Sequence, residues 1–506
     1  MLRLASAIFL VSITSLAAPA QDSVEAEIER LAESLATRSK ARAESARLGA
    51  EARAALNDRD LPKAKELLFE RIEVDPQNFV PWYNLACVFS IENQLDESAR
   101  MLGRAVELGF ISKETLERDS WLANVRKTQF YSDLIANWPK VLEARRDAQV
   151  ATVRRWLDGP VERSVAEDLR LDILSHYDPK STAMAIDNLR DVAAWAESIS
   201  PELFGVKPDD PWTVVLLPER RDFTKWAVAT YGPDAIRPNA GIAGAYAHDH
   251  RRLVANDLGP TLRHEFLHVL HWRGMDRLDQ MHPIWVQEGL ASLVEDLDPV
   301  GDGLRPAPSQ RTNVVKRLAK ANKLPTLEEL TALTHQMFSS RRPLAQYAQA
   351  RTLFLYLDDK NLLGEWMQTY VHDPEHGFAQ DESGLTALDV VTEIPRERAQ
   401  RTYKTWVARE LPEAAERFTD LRVSLGVGLE PGEGDGPRIT KIPGRIRREA
   451  GLRRGDYITS IDGRPVTQTN ELVRILDGYN VGQVVTLTFR RGKLHGETTL
   501  TLSRSR

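Results

Sequence analysis

The segment HEFLH occupies residues 264–268, and WVQEGLASLVED follows at residues 285–296. In a helix, residues four apart lie on one face, so the imidazoles of His264 and His268 can reach the same cation. Glu265 projects beside that face, where its carboxylate can accept a proton without being a ligand. A catalytic zinc site normally has three protein ligands and one open position, so the pattern predicts a third ligand from elsewhere in the chain.

A second helix has to supply that third ligand. His271 lies on the same stripe of the first helix, but one turn further along, and a straight helix cannot wrap three side chains around one ion. The sequence predicts that the first helix ends after Trp272 and that Pro283 begins the next one. Glu288 lies on that second helix, and Gly289 beside it is small enough to let the two helices approach closely.

In this pairing the sequence resembles the gluzincin metallopeptidases, especially the peptidase MA-like group. That family places a glutamate within W-x-x-E-G-x-A on the helix after H-E-x-x-H, and Glu288 stands at that position. The resemblance covers about residues 171–413 and is sharpest across residues 261–296. It implies that His264, His268 and Glu288 bind one zinc ion and that Glu265 is the general base.

The resemblance also implies a side chain that stabilises the oxyanion. Many gluzincins carry a tyrosine on a helix downstream of the third ligand, and Tyr347 is the candidate here. The alternative is that Tyr347 packs on its own helix with its hydroxyl bonded locally. Glu295 and Asp296 either orient the ligands or are simply solvated. Tyr246, His250 and His282 are further donors that could line the site, although a surface or structural position is favoured for each.

One departure from the relatives concerns exopeptidase activity. The aminopeptidases of this clan use a Gly-x-Met-x-Asn type strand to hold the substrate's amine, whereas this chain has AGIAGAYAH at residues 240–248. An endopeptidase is therefore favoured. The glycyl aminopeptidase type, which joins a similar site to a carboxy-terminal PDZ domain, is the alternative within the clan.

The carboxy-terminal residues resemble the PDZ domains of exported bacterial proteases. The resemblance covers residues 421–504 and rests mainly on AGLRRGDYITSIDGRPV at residues 450–466. In that family, backbone N–H groups of one loop bind a peptide carboxylate, and the peptide adds as a strand beside it. The alternative is a domain without peptide affinity, or one packed against its own chain. The corresponding loop residues here are Leu425, Gly426, Val427 and Gly428.

Three segments precede the predicted metallopeptidase domain. Residues 1–20 have a basic residue, a short apolar run and a small-residue site, which predicts a cleaved signal peptide and export to the periplasm or the medium; an uncleaved anchor is the alternative. Residues 21–57 have helix composition. Across residues 58–140, DLPKAKELL is echoed by QLDESARML 34 residues later, the period of tetratricopeptide repeats, although a plain helical hairpin would look similar.

The sequence as a whole predicts a multidomain, mostly α protein with α+β parts. Residues 58–140 would form the helical repeats, residues 156–413 a zincin-like α+β domain, and residues 421–504 a small β-rich PDZ domain. The formal charge of −6 is spread along all 506 residues, which gives no reason to expect nucleic acid as a partner. The expected function is an exported zinc-dependent endopeptidase acting on polypeptides, with PDZ and repeat domains that bind peptides or partners. The alternative from another class is a non-catalytic peptide-binding scaffold.

Overall fold

The computed structural model describes residues 40–505 with the exception of residues 42, 158, 232–243, 302, 341, 433–435 and 493. The predicted signal peptide at residues 1–20 lies outside the described residues, as do residues 21–39 of the predicted helical segment. Within the described part of the chain, no helix is long and apolar enough to cross a membrane. The described chain is mostly helical, with a β-rich carboxy-terminal region.

Helical hairpins form the first part of the described chain. Residues that the 34-residue spacing equates are buried alike, since Ala64 and Ser98, and Leu68 and Leu102, are all fully inaccessible. The Ser98 hydroxyl donates to the carbonyl of Ala86, which satisfies a polar group inside this core. This equivalence supports the predicted repeat, whose family stays a prediction. The helices are α1 (residues 43–57), α2 (Leu61–Val74), α3 (Phe79–Ile91), α4 (Leu95–Glu107), α5 (Lys113–Arg118), α6 (Gln129–Ala136) and α7 (Trp138–Trp156).

A five-stranded sheet follows, in the order β1-β2-β3-β5-β4. Strands β2, β3 and β5 are parallel, and the edge strands β1 and β4 are antiparallel to their neighbours. Every residue of β2 and β3 is buried, because helices cover both faces of the sheet. Local sequence patterns predict two of these strands, one in the apolar run at residues 212–218 and one at residues 252–255, and both are confirmed. The bounds are β1 (Glu162–Ala166), β2 (Leu171–Ser175), β3 (Trp212–Leu216), β4 (Gly244–Ala247) and β5 (Arg252–Ala255).

The helices on this sheet include the two that carry the motif residues. Side chains of α8 and α11 share one apolar core with β2 and β3, whereas α7 and α10 pack on the opposite face. The bounds are α8 (Pro179–Ile199), α9 (Pro201–Phe204), α10 (Arg220–Tyr231), α11 (Pro260–Leu278) and α12 (Ile284–Leu293).

The predicted end of the first motif helix after Trp272 is wrong. Helix α11 continues to Leu278 and ends where Asp279 adopts the left-handed conformation, with φ 58°. Gly274 is inside the helix because α9 packs there: a Cβ at this position would lie 2.4 Å from the carbonyl oxygen of Leu203. Close packing, rather than a turn, therefore explains this glycine.

The rest of the central region consists of a short hairpin and seven helices within the described residues. Helix α12 packs on α16, where the rings of Trp285 and Phe354 stack with centroids 5.2 Å apart. The hairpin comprises β6 (Leu297–Val300) and β7 (Gly303–Pro306). The helices are α13 (Gln310–Lys320), α14 (Leu327–Thr331), α15 (His335–Ser340), α16 (Pro343–Asp359), α17 (Leu363–His372), α18 (Leu385–Thr392) and α19 (Arg396–Arg409).

The carboxy-terminal region folds around its own apolar core. Its main sheet has the order β14-β13-β11-β10-β9, with β12 paired to β11, and β15 pairs with β8. The residue pairs Asp462-Gly463 and Arg491-Gly492 are turn signals in the sequence. Both predicted turns are confirmed, because each joins two antiparallel strands. The elements are β8 (Val423–Ser424), β9 (Gly428–Glu430), β10 (Arg438–Lys441), α20 (Gly444–Glu449), β11 (Tyr457–Ile461), β12 (Arg464–Pro465), α21 (Thr469–Asp477), β13 (Val484–Arg491), β14 (Leu494–Thr501) and β15 (Ser503–Arg504).

Candidate metal centre

The start of α11 is fixed by an aspartate. One carboxylate oxygen of Asp257 accepts hydrogen bonds from the backbone N–H groups of Gly259 and Thr261, at 2.8 and 3.1 Å. These N–H groups have no acceptor within the helix, so the carboxylate satisfies them. Its negative charge also interacts favourably with the helix dipole. One turn further along, the helix presents His264 and His268 on the same side, as the spacing predicts.

The packing of α12 brings Glu288 to these histidines. Gly289 does not face α11, as the sequence suggested; it faces α16, where an added Cβ would lie 2.7 Å from the ring of Phe354. The glycine therefore lets α12 settle against α16, and Glu288, one residue earlier, points toward α11. Its Oε2 atom lies 3.3 Å from Nε2 of His264 and 3.5 Å from Nε2 of His268.

His264, His268 and Glu288 form what we call the ligand cluster. The two Nε2 atoms are 3.1 Å apart, and one ligand atom from each residue lies within 4.8 Å of the others. Oε2 of Glu288 is buried and accepts no well-formed hydrogen bond. Two imidazole nitrogens and a carboxylate oxygen are donors that zinc prefers. The residues therefore fit a zinc ion, and a buried, unsatisfied carboxylate oxygen is the observation that supports the fit.

The electrostatics of the ligand cluster show how strongly its members interact. Burial alone would lower the pKa of His264, but its contacts with the carboxylates of Glu288 and Glu295 outweigh burial and raise it to about 10. Burial opposes ionisation of Glu288, yet the charges of His268 and His264 hold the pKa of its carboxyl well below the ordinary value. A carboxylate is thus kept ionised inside the protein, where it attracts a cation.

A second carboxylate orients His264. Oε1 of Glu295 lies 3.0 Å from Nδ1 of His264, so the Nδ1–H group donates to it and Nε2 is left to act as a ligand. Arg311 binds Glu295 through two hydrogen bonds of 2.5 and 2.8 Å. Of the two roles that the sequence left open for Glu295, the structure has the orienting one. Nothing in the sequence pointed to Arg311, which lies on another helix.

Glu265 lies between the ligand cluster and strand β4. Burial raises the pKa of its carboxyl, although the nearby His264 and His268 act against this. An added Cβ at Gly244 would lie 2.7 Å from Cγ of Glu265, so only a glycine lets the strand approach the carboxylate this closely. Glu265 is not one of the clustered ligand residues.

Two tyrosines flank the ligand cluster. The Tyr246 ring stacks on the imidazole of His268, with centroids 4.7 Å apart and planes 19° apart. Tyr347, on α16, lies beside Glu288; burial and then the charges of Glu288 and Glu265 raise its pKa. Both hydroxyl groups therefore stay protonated at neutral pH and can donate. The structure brings the predicted Tyr347 to the site, together with Tyr246, which lies two residues from Gly244 on β4.

His282 is not part of this site. It lies against His271, with Nδ1 of His282 and Nε2 of His271 2.8 Å apart, and both side chains are buried. Burial lowers the pKa of His282 to about 3 and takes that of His271 well below the ordinary value, to which the neighbouring His282 contributes. Of the two roles that the sequence leaves open for His282, a donor at the site or a structural residue, the structure has the structural one.

The predicted peptide-binding loop, residues 425–428, lies between β8 and β9. Leu425 is buried, and Gly426 has φ +70°, a conformation that favours glycine. The N–H of Gly426 donates to the hydroxyl of Ser424 at 3.0 Å. One amide of this loop is thus bonded internally, and peptide binding by the loop stays a prediction.

Comparisons with known proteins bear mainly on the carboxy-terminal region. Residues 448–491 match the family model of the PDZ domain. This region contains a PDZ domain. The match begins after Gly428, so it leaves out the predicted peptide-binding loop.

Two curated proteins are similar to parts of this chain. A Ralstonia nicotianae protein, named as a candidate zinc metalloprotease, is 35% identical over 94 residues, or 18% of this chain and 20% of that protein. The chloroplastic Protease Do-like 8 of Arabidopsis thaliana is 30% identical over 105 residues, or 17% of this chain and 23% of that protein. The chain therefore spans about a fifth of the length of the curated relatives that it matches.

Among solved structures, an HtrA-type protease AlgW with a decapeptide is 17% identical to this chain. The match covers 22% of this chain and 36% of the AlgW chain, with a TM-score of 0.16. An aminopeptidase N family protein of Idiomarina loihiensis is 12% identical to this chain. The match covers 69% of this chain and 67% of that protein's chain, with a TM-score of 0.20. Neither TM-score is high enough to assign a fold.

Proposed function

We propose that this chain is a zinc-dependent peptidase that cuts within polypeptides. The observation that carries the proposal is the meeting of His264, His268 and Glu288 beside the carboxylate of Glu265. A purely structural site would not need that fourth group, which is not one of the clustered ligand residues. The two curated relatives are both named proteases, which agrees with the proposal in its general form.

The roles of the residues follow from their positions. A zinc ion held by the ligand cluster would polarise the scissile carbonyl and activate a water molecule. Glu265 takes a proton from that water as its oxygen adds to the carbonyl carbon, and then gives the proton to the amine as the C–N bond breaks. The raised pKa of Glu265 suits the first step, because it makes the carboxylate a stronger base than an ordinary glutamate.

The hydroxyl groups of Tyr347 and Tyr246 are the donors that could stabilise the carbonyl oxygen as it gains negative charge. Tyr347 lies beside Glu288 and Tyr246 beside His268, so each is next to a different member of the ligand cluster. Tyr347 is the tyrosine that the resemblance to gluzincins implies, and we keep it as the candidate. Such donors lower the barrier because they face the charge that develops in the transition state.

Strand β4 gives the substrate a place to bind. In the described part of the chain it is the outermost strand of the sheet, paired on one side with β5. An extended peptide can add to such an edge through backbone hydrogen bonds, which do not depend on side-chain identity. Gly244 touches Glu265 and Tyr246 touches His268, so a peptide on β4 would run beside both. This arrangement favours cutting inside a chain over trimming its end.

The other domains would bind polypeptide as well. The PDZ domain would hold a peptide carboxy terminus or an extended segment at Leu425, Gly426, Val427 and Gly428. The helical repeats would bind a protein partner. Export, directed by residues 1–20, would place the enzyme in the periplasm or the medium.

The test is cleavage of an unfolded, dye-labelled protein by the purified chain and by Glu265→Gln, with zinc content measured on both. We expect about one zinc per chain in each, and a loss of at least about 1,000-fold in kcat/KM for the variant, because Gln cannot accept the proton. The matched control is Glu114→Gln, which changes another partly buried glutamate, far along the chain on α5.

The outcomes separate the two classes of function. Cleavage that is lost in Glu265→Gln and kept in the control supports the peptidase. Zinc in both proteins with cleavage in neither would favour the peptide-binding scaffold. A chain without zinc at any concentration would overturn the proposal.

A further inference from the structure

The PDZ domain packs directly on the first turn of the helix that carries His264. Gly259, at the start of α11, lies so close to Thr467 that an added Cβ would be 2.0 Å from its hydroxyl oxygen. The side-chain amide of Gln468 donates to Asp257, the residue that caps α11, at 2.8 Å. The start of the metal helix is therefore part of the contact between the two domains.

Arg263 is the centre of this contact. It immediately precedes His264, its side chain is buried, and its guanidinium donates to Glu471 of the PDZ helix α21 at 2.8 Å. Among the contacts of the described residues, Glu471 is the one carboxylate paired directly with Arg263. A buried guanidinium that loses its carboxylate is strongly destabilised, so this pair resists separation of the domains.

The same guanidinium holds the segment that follows α12. It donates to the backbone carbonyls of Val294, at 2.8 Å, and Glu295, at 2.6 Å. The side chain of Glu295, in turn, is the one that accepts the Nδ1–H of His264. A continuous set of contacts thus runs from Glu471 through Arg263 and the Glu295 backbone to a member of the ligand cluster.

A second set of PDZ contacts holds the next residues of that segment. Arg474, on α21, pairs with Asp296 at 3.3 Å and also with Asp298. Arg464, on β12, pairs with Asp298 as well. Asp296 is also bound by Arg351 from α16, at 3.4 Å. The segment that carries Glu295 is therefore fixed from the PDZ side and from the central region together.

We propose that Glu471 is a positioning residue of the metal centre, and that the docked PDZ domain holds His264 in its ligand geometry through Arg263 and Glu295. The inference rests on the proposed function, because it assigns the PDZ domain a part in that same site. It makes zinc binding and PDZ docking reciprocal: each stabilises the other by the same factor.

The test measures the zinc affinity of the full chain by competition with a chelating dye, for the wild type and Glu471→Gln. Glutamine keeps the size of the side chain and an acceptor for the start of α21, but loses the ion pair to Arg263. The matched control is Asp456→Asn, which removes another buried PDZ carboxylate whose partners, Arg491 and the Arg453 N–H, lie inside the domain. We expect Glu471→Gln to weaken zinc binding about tenfold and Asp456→Asn to change it less than about twofold.

Equal zinc affinities for the wild type and Glu471→Gln, or an equal loss in the control, would overturn the inference. A wild type that binds zinc without cutting peptides would end the proposed function, while the affinity comparison would still decide this inference. A wild type that binds no zinc would overturn both.

A second measurement needs no variant and covers the case in which Glu471→Gln does not fold. Hydrogen exchange of the α21 amides, Thr469–Asp477, is followed in the wild type with and without zinc. Zinc should slow this exchange several-fold and leave exchange of the β10 amides, Arg438–Lys441, unchanged, because α21 carries Glu471, which pairs with Arg263, whereas β10 pairs with β9 and β11 inside the PDZ domain. Unchanged exchange in α21 would contradict the coupling.

Discussion

Two histidine pairs on or beside α11 differ in what surrounds them. His264 and His268 face Glu288, and the first of them also meets Glu295. His271 and His282 meet each other, and no carboxylate contacts either one among the described residues. The pKa of His264 is accordingly raised and those of His271 and His282 are lowered, although all four rings lie within the same packed region.

Hydrogen bonds fix the second pair in its neutral form. The side-chain amide of Gln280 donates to the carbonyl of Val371 at 2.8 Å, which leaves its oxygen to accept from Nε2–H of His282 at 3.2 Å. Nδ1 of His282 then accepts from Nε2–H of His271. Hydrogen bonds thus occupy both ring nitrogens of His282 and Nε2 of His271, so these nitrogens are not available to a metal ion. The ligand cluster differs because two imidazole nitrogens and a carboxylate oxygen meet there.

The difference teaches that spacing on a helix does not make a metal site. His268 and His271 are three residues apart on one stripe, yet among the described residues His268 has a carboxylate from another helix within reach and His271 has none. Whether a histidine on this stripe can act as a metal ligand depends on the element packed against it. That element is α12 for His264 and His268, and the segment that contains Gln280 for His271 and His282.

The largest expected effect is the loss of a proposed zinc ligand. His268→Ala should weaken zinc binding more than about 100-fold, because a ligand loss exceeds the 10–100-fold effect of losing a supporting residue. His271→Ala, a matched change one turn away, should leave zinc affinity within about twofold and lower the free energy of unfolding by about 1–3 kcal/mol. Isothermal titration with zinc and urea unfolding check the two halves. A large loss of zinc affinity in His271→Ala would show that the pairs are not distinct.

The next effect concerns acid. The folded-state pKa of His282, about 3, lies below its ordinary value of 6.5. The unfolded chain therefore binds more protons between these values, so stability is full above pH 6.5 and falls as the pH is lowered toward 3. From pH 7.5 to 5.5, His282 should account for about 1.4 kcal/mol of lost unfolding free energy. His282→Asn should remove that share in urea unfolding at the two pH values, and an unchanged loss would argue against a neutral pair.

The smallest expected effect comes from placing a carboxyl group beside the pair of His271 and His282. Gln280→Glu places a carboxyl group about where the Gln280 oxygen now accepts from His282. It should raise the pKa of His282 and shrink the loss of stability on acidification by about 1 kcal/mol. Gln280→Ala, which removes the hydrogen bond without adding charge, should keep most of the loss. A larger loss in Gln280→Glu would mean that the missing acid is not what keeps this pair neutral.

The sequence was sufficient where the signal is local. The i, i+4 histidines and the glutamate of the next helix meet in the structure, because α11 and α12 are consecutive elements with a short connection. The strand at Arg252–Ala255 and the PDZ turns also follow from local patterns. The end of α11 was misjudged because Gly274 looks like a helix end until the packing of Leu203 is known.

Partners that are distant in the chain could not be predicted from one sequence. Glu471 meets Arg263 from 208 residues away, and no periodicity or motif connects them. Arg311 reaches Glu295 only because α13 returns to the end of α12. Only a weak sequence signal pointed to Tyr246, which follows Gly244 in the glycine-containing segment before the HEFLH motif. Contacts of this kind depend on how whole elements pack, which local patterns do not encode.

The central claim, that His264, His268 and Glu288 hold one zinc ion, is tested most directly by anomalous diffraction at the zinc edge from crystals of the full chain grown with one equivalent of zinc. The account predicts a single strong peak about 2.0–2.2 Å from Nε2 of both histidines and from a carboxylate oxygen of Glu288. A zinc peak between His271 and His282, or zinc in the crystal with no peak at the ligand cluster, would contradict it.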